Sequence, residues 1–162
     1  MHCITSPVAL LEAGSNANRS LRLHNIAKVF NMSTDSTSSG ELYGTTAIKN
    51  NQLERFENRT LVRRYTVEFT CPEFTCLCPR SGFPDFATIR IRYVPHKWCV
   101  ELKSLKLYIN GFRDAKVFHE DVTNQILDDL VKLLDPWDME VVGDFSVRGN
   151  IKTVITSKHS KK

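Results

Sequence analysis

The repeat of apolar residues changes its period twice along this chain, and that change limits the available folds more than any other feature. From residue 61, Leu61, Tyr65, Val67 and Phe69 fall on one parity while Arg64, Thr66, Glu68 and Thr70 fall on the other. This is the two-residue repeat of a half-buried strand. The alternation returns in Ala87, Ile89, Ile91 and Tyr93 against Thr88, Arg90 and Arg92, and a short run through Trp98, Val100 and Leu102 extends it or pairs with it. The period then turns helical, through Leu105, Tyr108, Ile109 and Phe112, and again through Val122, Ile126, Leu130, Leu133 and Leu134 in a longer helix that stops before Pro136. Met139 to Val147 and Ile151 to Thr156 read as two further strands around a turn at Gly149 and Asn150. The order strand, strand, helix, helix, strand, strand predicts an α+β domain, with both helices on one face of a four-stranded, largely antiparallel sheet. Such a sheet has two open edges and one bare face, so closure by self-association is expected.

With 162 residues, 41% of them apolar and 25% charged, the chain has the size and balance of one soluble globular domain. No run approaches the ~18 apolar residues that cross a bilayer, and Val8, Ala9, Leu10 and Leu11 are too short for a secretory signal. A cytoplasmic protein without a membrane partner is expected. The net charge of +4 gathers near Arg19, Arg22 and Lys28 and near Lys158, Lys161 and Lys162 rather than on one patterned face, which argues against direct binding of nucleic acid. Residues 1–45 carry little pattern, and the polar run from Ser33 to Gly40 predicts disorder. Within that extension, Leu21, Leu23, Ile26, Val29 and Phe30 read either as a short amphipathic helix or as sequence upstream of a true start at Met32. The folded domain is expected over 46–157, followed by a basic tail at 158–162.

Five cysteines, Cys3, Cys71, Cys76, Cys78 and Cys99, form an odd set with no export signal, the pattern of free thiols in a reducing compartment. Three lie in the segment from Cys71 to Asp85, which reads as a functional loop too long for a hairpin turn and braced by Pro72, Pro79 and Pro84. The C-x4-C-x-C spacing lacks the paired C-x2-C of structural zinc and no histidine follows in the loop, so no metal is expected. Cys71, Cys76 and Cys99 read best as small core residues. Cys78 differs, because Asp85 lies across a proline-braced bend from it. A thiolate and an acid suit addition to an unsaturated carbon with protonation of the atom that gains charge. As a bare sequence feature, Asp85 reads equally as a turn residue or a helix cap.

Lys103 and Lys106 open the first helix with Ser104 between them, a place where phosphates can be held, although ordinary solvated lysines fit as well. No G-x-G-x-x-G motif is present, so a nicotinamide cofactor would bind without a Rossmann domain. His119, Glu120 and Asp121 begin the second helix. The two acids suit a helix N-terminus, and a carboxylate there could also accept paired hydrogen bonds from a guanine-like edge.

Three segments in order, Cys71 to Ala87 (CPEFTCLCPRSGFPDFA), Glu101 to Tyr108 (ELKSLKLY) and Phe118 to Asp121 (FHED), resemble the short, single-module form of the QueF nitrile reductases. The likeness covers about residues 55 to 157. It implies a tunnelling fold, in which ββααββ units join into pentameric barrels stacked as a homodecamer. It also implies NADPH-dependent reduction of 7-cyano-7-deazaguanine to 7-aminomethyl-7-deazaguanine on the route to queuosine in tRNA. By the same resemblance, Cys78 would be the nucleophile of a covalent thioimide and Asp85 the proton donor. Val100, Glu101, Leu102, His119 and Glu120 would bind the deazapurine, and Lys103, Ser104, Lys106 and Tyr108 would bind NADPH. Cys76 stands where the family usually has serine, which raises the question of an inhibitory Cys76–Cys78 disulfide. The rival readings are a zinc-dependent hydrolase of the GTP cyclohydrolase type and a non-catalytic purine- or pterin-binding oligomer, both with the same fold.

Overall fold

The computed structural model describes residues 40–162. The expectations for the extension before residue 40, including the amphipathic helix and the start at Met32, lie outside the described residues. Helix α1 (Tyr43–Lys49) is followed by the short strand β1 (Arg55–Glu57) and the long strands β2 (Val67–Leu77) and β3 (Pro84–Val94). Next come β4 (Trp98–Val100), α2 (Leu102–Asn110), a 3-10 turn (Gly111–Asp114), α3 (His119–Leu134), β5 (Asp138–Phe145) and β6 (Val154–Ser160). The main sheet has the order β2-β3-β5-β6 with every pairing antiparallel, which is the expected ββααββ layout. The run through Trp98 and Val100 does not extend β3. It pairs with β1 as a separate two-stranded ribbon.

Alternation decides which side of the sheet is covered. Ile89, Ile91 and Tyr93 of β3, with Met139, Val141 and Phe145 of β5, face inward and meet Val122, Ile126, Leu130 and Leu134 of α3 and Leu105 and Ile109 of α2. The opposite parity carries charge: Arg90 bonds Asp144 at 3.1 Å, Lys152 pairs with Asp144 at 2.9 Å, and Lys158 pairs with Glu140 at 2.7 Å. The stretch read as a basic tail is therefore strand as far as Ser160, and the Lys161 N–H donates to the Trp137 carbonyl at 2.8 Å. Strands β2 and β6 form the edges.

The segment from Cys71 to Asp85 differs from the expected loop. β2 continues to Leu77 and β3 begins at Pro84, so only residues 78–83 connect them and the motif is the end of a hairpin. The strand is irregular between Cys71 and Phe74, where the partner register shifts by one residue. Pro72 has no N–H to give to the ladder, and a β-bulge is where a strand accommodates such a residue.

Candidate active site

The hairpin end is built by backbone bonds that fold six residues back on themselves. The Cys78 N–H donates to the Phe83 carbonyl and the Gly82 N–H to the Cys78 carbonyl, both at 2.9 Å. Gly82 takes φ +72°, a conformation that a side chain disfavours, and this lets the turn close over the thiol. The Ser81 hydroxyl, then the N–H groups of Ser81 and Arg80, hydrogen-bond the Cys78 sulfur and lower its pKa from 9.0 to about 7. Cys76, two residues earlier, is fully buried, and that burial first, then the charges of Asp85 and Cys78, push its thiol up to about 11. Two thiols two residues apart thus differ because hydrogen-bond donors surround the one just past the strand end and burial desolvates the one within the strand.

Asp85 stands directly opposite Cys76 in the β2–β3 ladder and is only 3% exposed. It is a strand residue whose side chain points into the covered layer, neither a turn residue nor a helix cap. Its Oδ2 lies 3.3 Å from His119 Nε2, and its Oδ1 is paired with Arg148 Nη1. His119 arrives there because the chain before α3 joins the end of β2: the Leu77 N–H donates to the Ala115 carbonyl at 2.9 Å and the Val117 N–H to the Leu77 carbonyl at 3.1 Å. Its imidazole lies flat on Phe145, with centroids 3.8 Å apart and planes 11° apart. The start of α3 approaches β5 closely at Gly143, where a Cβ would come within 2.5 Å of the Thr123 hydroxyl. The hydroxyl itself donates to the His119 carbonyl at 2.8 Å. An ionisable thiol, a buried carboxyl group and an imidazole therefore converge at one end of the sheet, as nucleophilic addition with proton delivery requires.

The sequence is also similar to known proteins. The model of the family described as QueF-like protein matches residues 84–162. The chain is 54% identical over 119 residues to the NADPH-dependent 7-cyano-7-deazaguanine reductase of Thermosynechococcus vestitus, covering 74% of this chain and 90% of that protein. The chain belongs to the QueF family. Proteins of the same name from Aquifex aeolicus and Anaeromyxobacter dehalogenans are 57% and 58% identical, covering 70% and 68% of this chain and 88% and 90% of theirs. The apo crystal structure of the archaeosine synthase QueF-Like shares the fold, with a TM-score of 0.53 at 14% identity over 61% of this chain and 95% of that one.

The second motif of the QueF resemblance lies elsewhere. Val100 is buried and its N–H donates to the Tyr93 hydroxyl at 3.3 Å. Tyr93 is eight positions along β3 from Asp85, about 27 Å at ~3.4 Å per residue. Glu101 caps α2, accepting from the Lys103 and Ser104 N–H groups at 2.9 and 2.7 Å, and these bonds hold its carboxyl below the usual carboxylate range. The Ser104 hydroxyl donates to the Glu101 carbonyl at 2.8 Å and accepts from the Glu54 N–H at 3.0 Å. The Tyr108 hydroxyl donates to Asp129 at 2.6 Å, and burial, then that carboxylate, raises its pKa. Of the four residues expected to meet NADPH, Ser104 and Tyr108 are thus engaged inside the fold, while Lys103 and Lys106 are exposed.

Lys106 lines a cavity of about 500 Å³ between β2 and α2, together with Leu102, Leu105, Ile109, Phe69 and Arg113. Its lining is largely apolar and carries two cations, Lys106 and Arg113, and one carboxylate, Glu73, but Cys78, Asp85 and His119 do not line it. Glu120 is exposed in the first turn of α3, next to His119. Sequence pattern does not single out Ser81, Phe145 or Arg148. Ser81 could have been found as a hydroxyl three residues past the thiol in a glycine turn. Phe145 and Arg148 could not, since only the fold brings Phe145 against His119 and Arg148 to Asp85.

Proposed function

We propose that this chain reduces the nitrile of 7-cyano-7-deazaguanine to the aminomethyl group with NADPH, in queuosine biosynthesis in the cytoplasm. The observation that carries the reading is a half-buried cysteine with its pKa at about 7 beside a buried aspartate, in a chain that covers 90% of a reductase of that name at 54% identity. Cys78 adds as thiolate to the nitrile carbon. The S–C bond forms, one C–N π bond opens, and Asp85 delivers a proton to the nitrogen, giving a thioimide. When bound, NADPH supplies hydride, and two equivalents with two protons carry the nitrile to the amine. Cys78 leaves as thiolate once the carbon reaches the imine level. His119 orients the acid and Glu120 offers a carboxylate to the N–H edge of the base. Lys103, Lys106 and Arg113 are the cations available for phosphates.

The same reading holds that the working unit is a homodecamer of two pentamers, acting on a small molecule and not on nucleic acid directly. Val100, Glu101 and Leu102 are remote from Cys78 within one chain, so one ligand could touch both groups only if they came from neighbouring copies. The open edges of β2 and β6 are where such copies would join. Among the described residues, no helix is long and apolar enough to cross a membrane.

Mass spectrometry of the protein mixed with the nitrile but no NADPH tests the reading. A mass increase equal to one substrate is expected on the peptide containing Cys78. An unmodified peptide, with no loss of NADPH absorbance when the cofactor is added, would end the proposal.

A further inference from the structure

Asp85 is held by a residue that no motif pointed to. The turn after β5 is tight and pinned: Arg148 and Ile151 exchange N–H to carbonyl bonds at 2.9 Å in both directions. Gly149 and Asn150 between them have φ of +55° and +67°, the two positive values of a type I′ hairpin. The Ser146 N–H donates to the Phe86 carbonyl at 2.8 Å, which ties this turn to β3 beside Asp85. Arg148 therefore reaches the carboxylate from a fixed backbone. An ion pair between two exposed side chains would contribute little, but Asp85 is 3% exposed and Arg148 41%.

From this geometry we infer that Arg148 is a positioning residue for proton delivery, fixing which oxygen of Asp85 carries the proton. A guanidinium has five N–H donors and no acceptor, so the oxygen that faces it can only accept. Oδ1 is that oxygen. When Asp85 is protonated, the proton sits on Oδ2, the oxygen beside His119 Nε2. Arg148 thereby turns a symmetric carboxyl group into a directional donor, with Cys76 of β2, Cys78 just past the end of β2 and His119 of α3 as its other ionisable neighbours. The inference rests on the proposed reduction, in which Asp85 is the acid for thioimide formation.

The test reads that one step. The rate of Cys78 adduct formation with the nitrile, without NADPH, is followed by quenched-flow mass spectrometry in the wild-type protein, Arg148→Ala and Arg148→Lys. Nitrile affinity is measured by calorimetry in the Cys78→Ala protein with and without Arg148→Ala. Loss of the fork is expected to slow adduct formation about 100-fold. Lysine, which keeps the charge without the planar fork, is expected to recover about tenfold of that loss. Affinity is expected to stay within about threefold, because binding does not use the proton. Adduct formation at the wild-type rate in Arg148→Ala would overturn the inference. So would an affinity loss large enough to account for the slower rate, since Arg148 would then be a ligand contact. Absence of any adduct in the wild-type protein would instead strike the proposed reduction itself.

Discussion

The two ends of the sheet hold the two halves of the family motif under opposite conditions. At the hairpin end, Asp85 and His119 lie 3.3 Å apart, the charge of Asp85 is felt by Cys78, and the local bonds of Ser81 and Arg80 adjust the thiol's chemistry. At the α2 end, Glu101, Ser104 and Tyr108 have their polar atoms satisfied by the helix start, by β1's approach and by α3. A stretch of recognisable letters therefore mixes side chains whose polar atoms the fold already engages with side chains it leaves open to a ligand, and only their hydrogen-bond partners separate the two kinds.

Substitutions can break that contrast. The largest effect is expected for Cys78→Ala, which should abolish NADPH consumption because no thioimide can form, while thermal stability is kept. Turnover at any sizeable fraction of the wild-type rate would remove the hairpin end from the chemistry. On α2, Lys106→Ala is expected to raise the KM for NADPH by about tenfold or more, the worth of one charge-assisted hydrogen bond, with kcat little changed. An unchanged KM would take the β2–α2 cavity out of cofactor binding. A subtler shift is expected for Ser81→Ala. The thiolate of Cys78 is lost as pH falls through about 7, so the acid limb of kcat/KM in the wild-type enzyme should lie there. Removing the hydroxyl that contributes most to that lowering should move the limb to higher pH, and a limb that stays in place would mean another group controls it. The smallest effect on activity is expected for Tyr108→Phe. Its lost bond to Asp129 should lower stability by about 1 kcal/mol, seen as a lower Tm, with kinetic constants near those of the wild type.

Much of the fold was legible because alternation and helical spacing are local. α3 from His119 to Leu134, and the strands around Ile89, Ile91 and Val141, follow directly from which residues are apolar. The ribbon of Trp98–Val100 with Arg55–Glu57 was not, since three-residue strands carry no periodic signal. Cys78 and Asp85 are linked in the sequence by the QueF resemblance, but no motif links Arg148 to either. Its place beside Asp85 depends on β5 lying next to β3, a contact between residues 63 positions apart in the chain. Lys103 and Tyr108 look alike as polar letters on one helix, and what distinguishes them is the Asp129 side chain on another.

The irregularity between Cys71 and Phe74 has a consequence for counting. Before it, the odd-numbered residues of β2 sit opposite the inward residues of β3, and after it the even-numbered ones do. That half-step in the pleat turns Cys76, and the strand end leading to Cys78, toward the helix-covered layer where Asp85 lies. A chain one residue shorter or longer there would spell nearly the same motif yet turn Cys76 to the charged outer side of the sheet, away from the layer that holds Asp85. Spacing around Pro72 is therefore as much a part of the family's motif as the cysteines themselves.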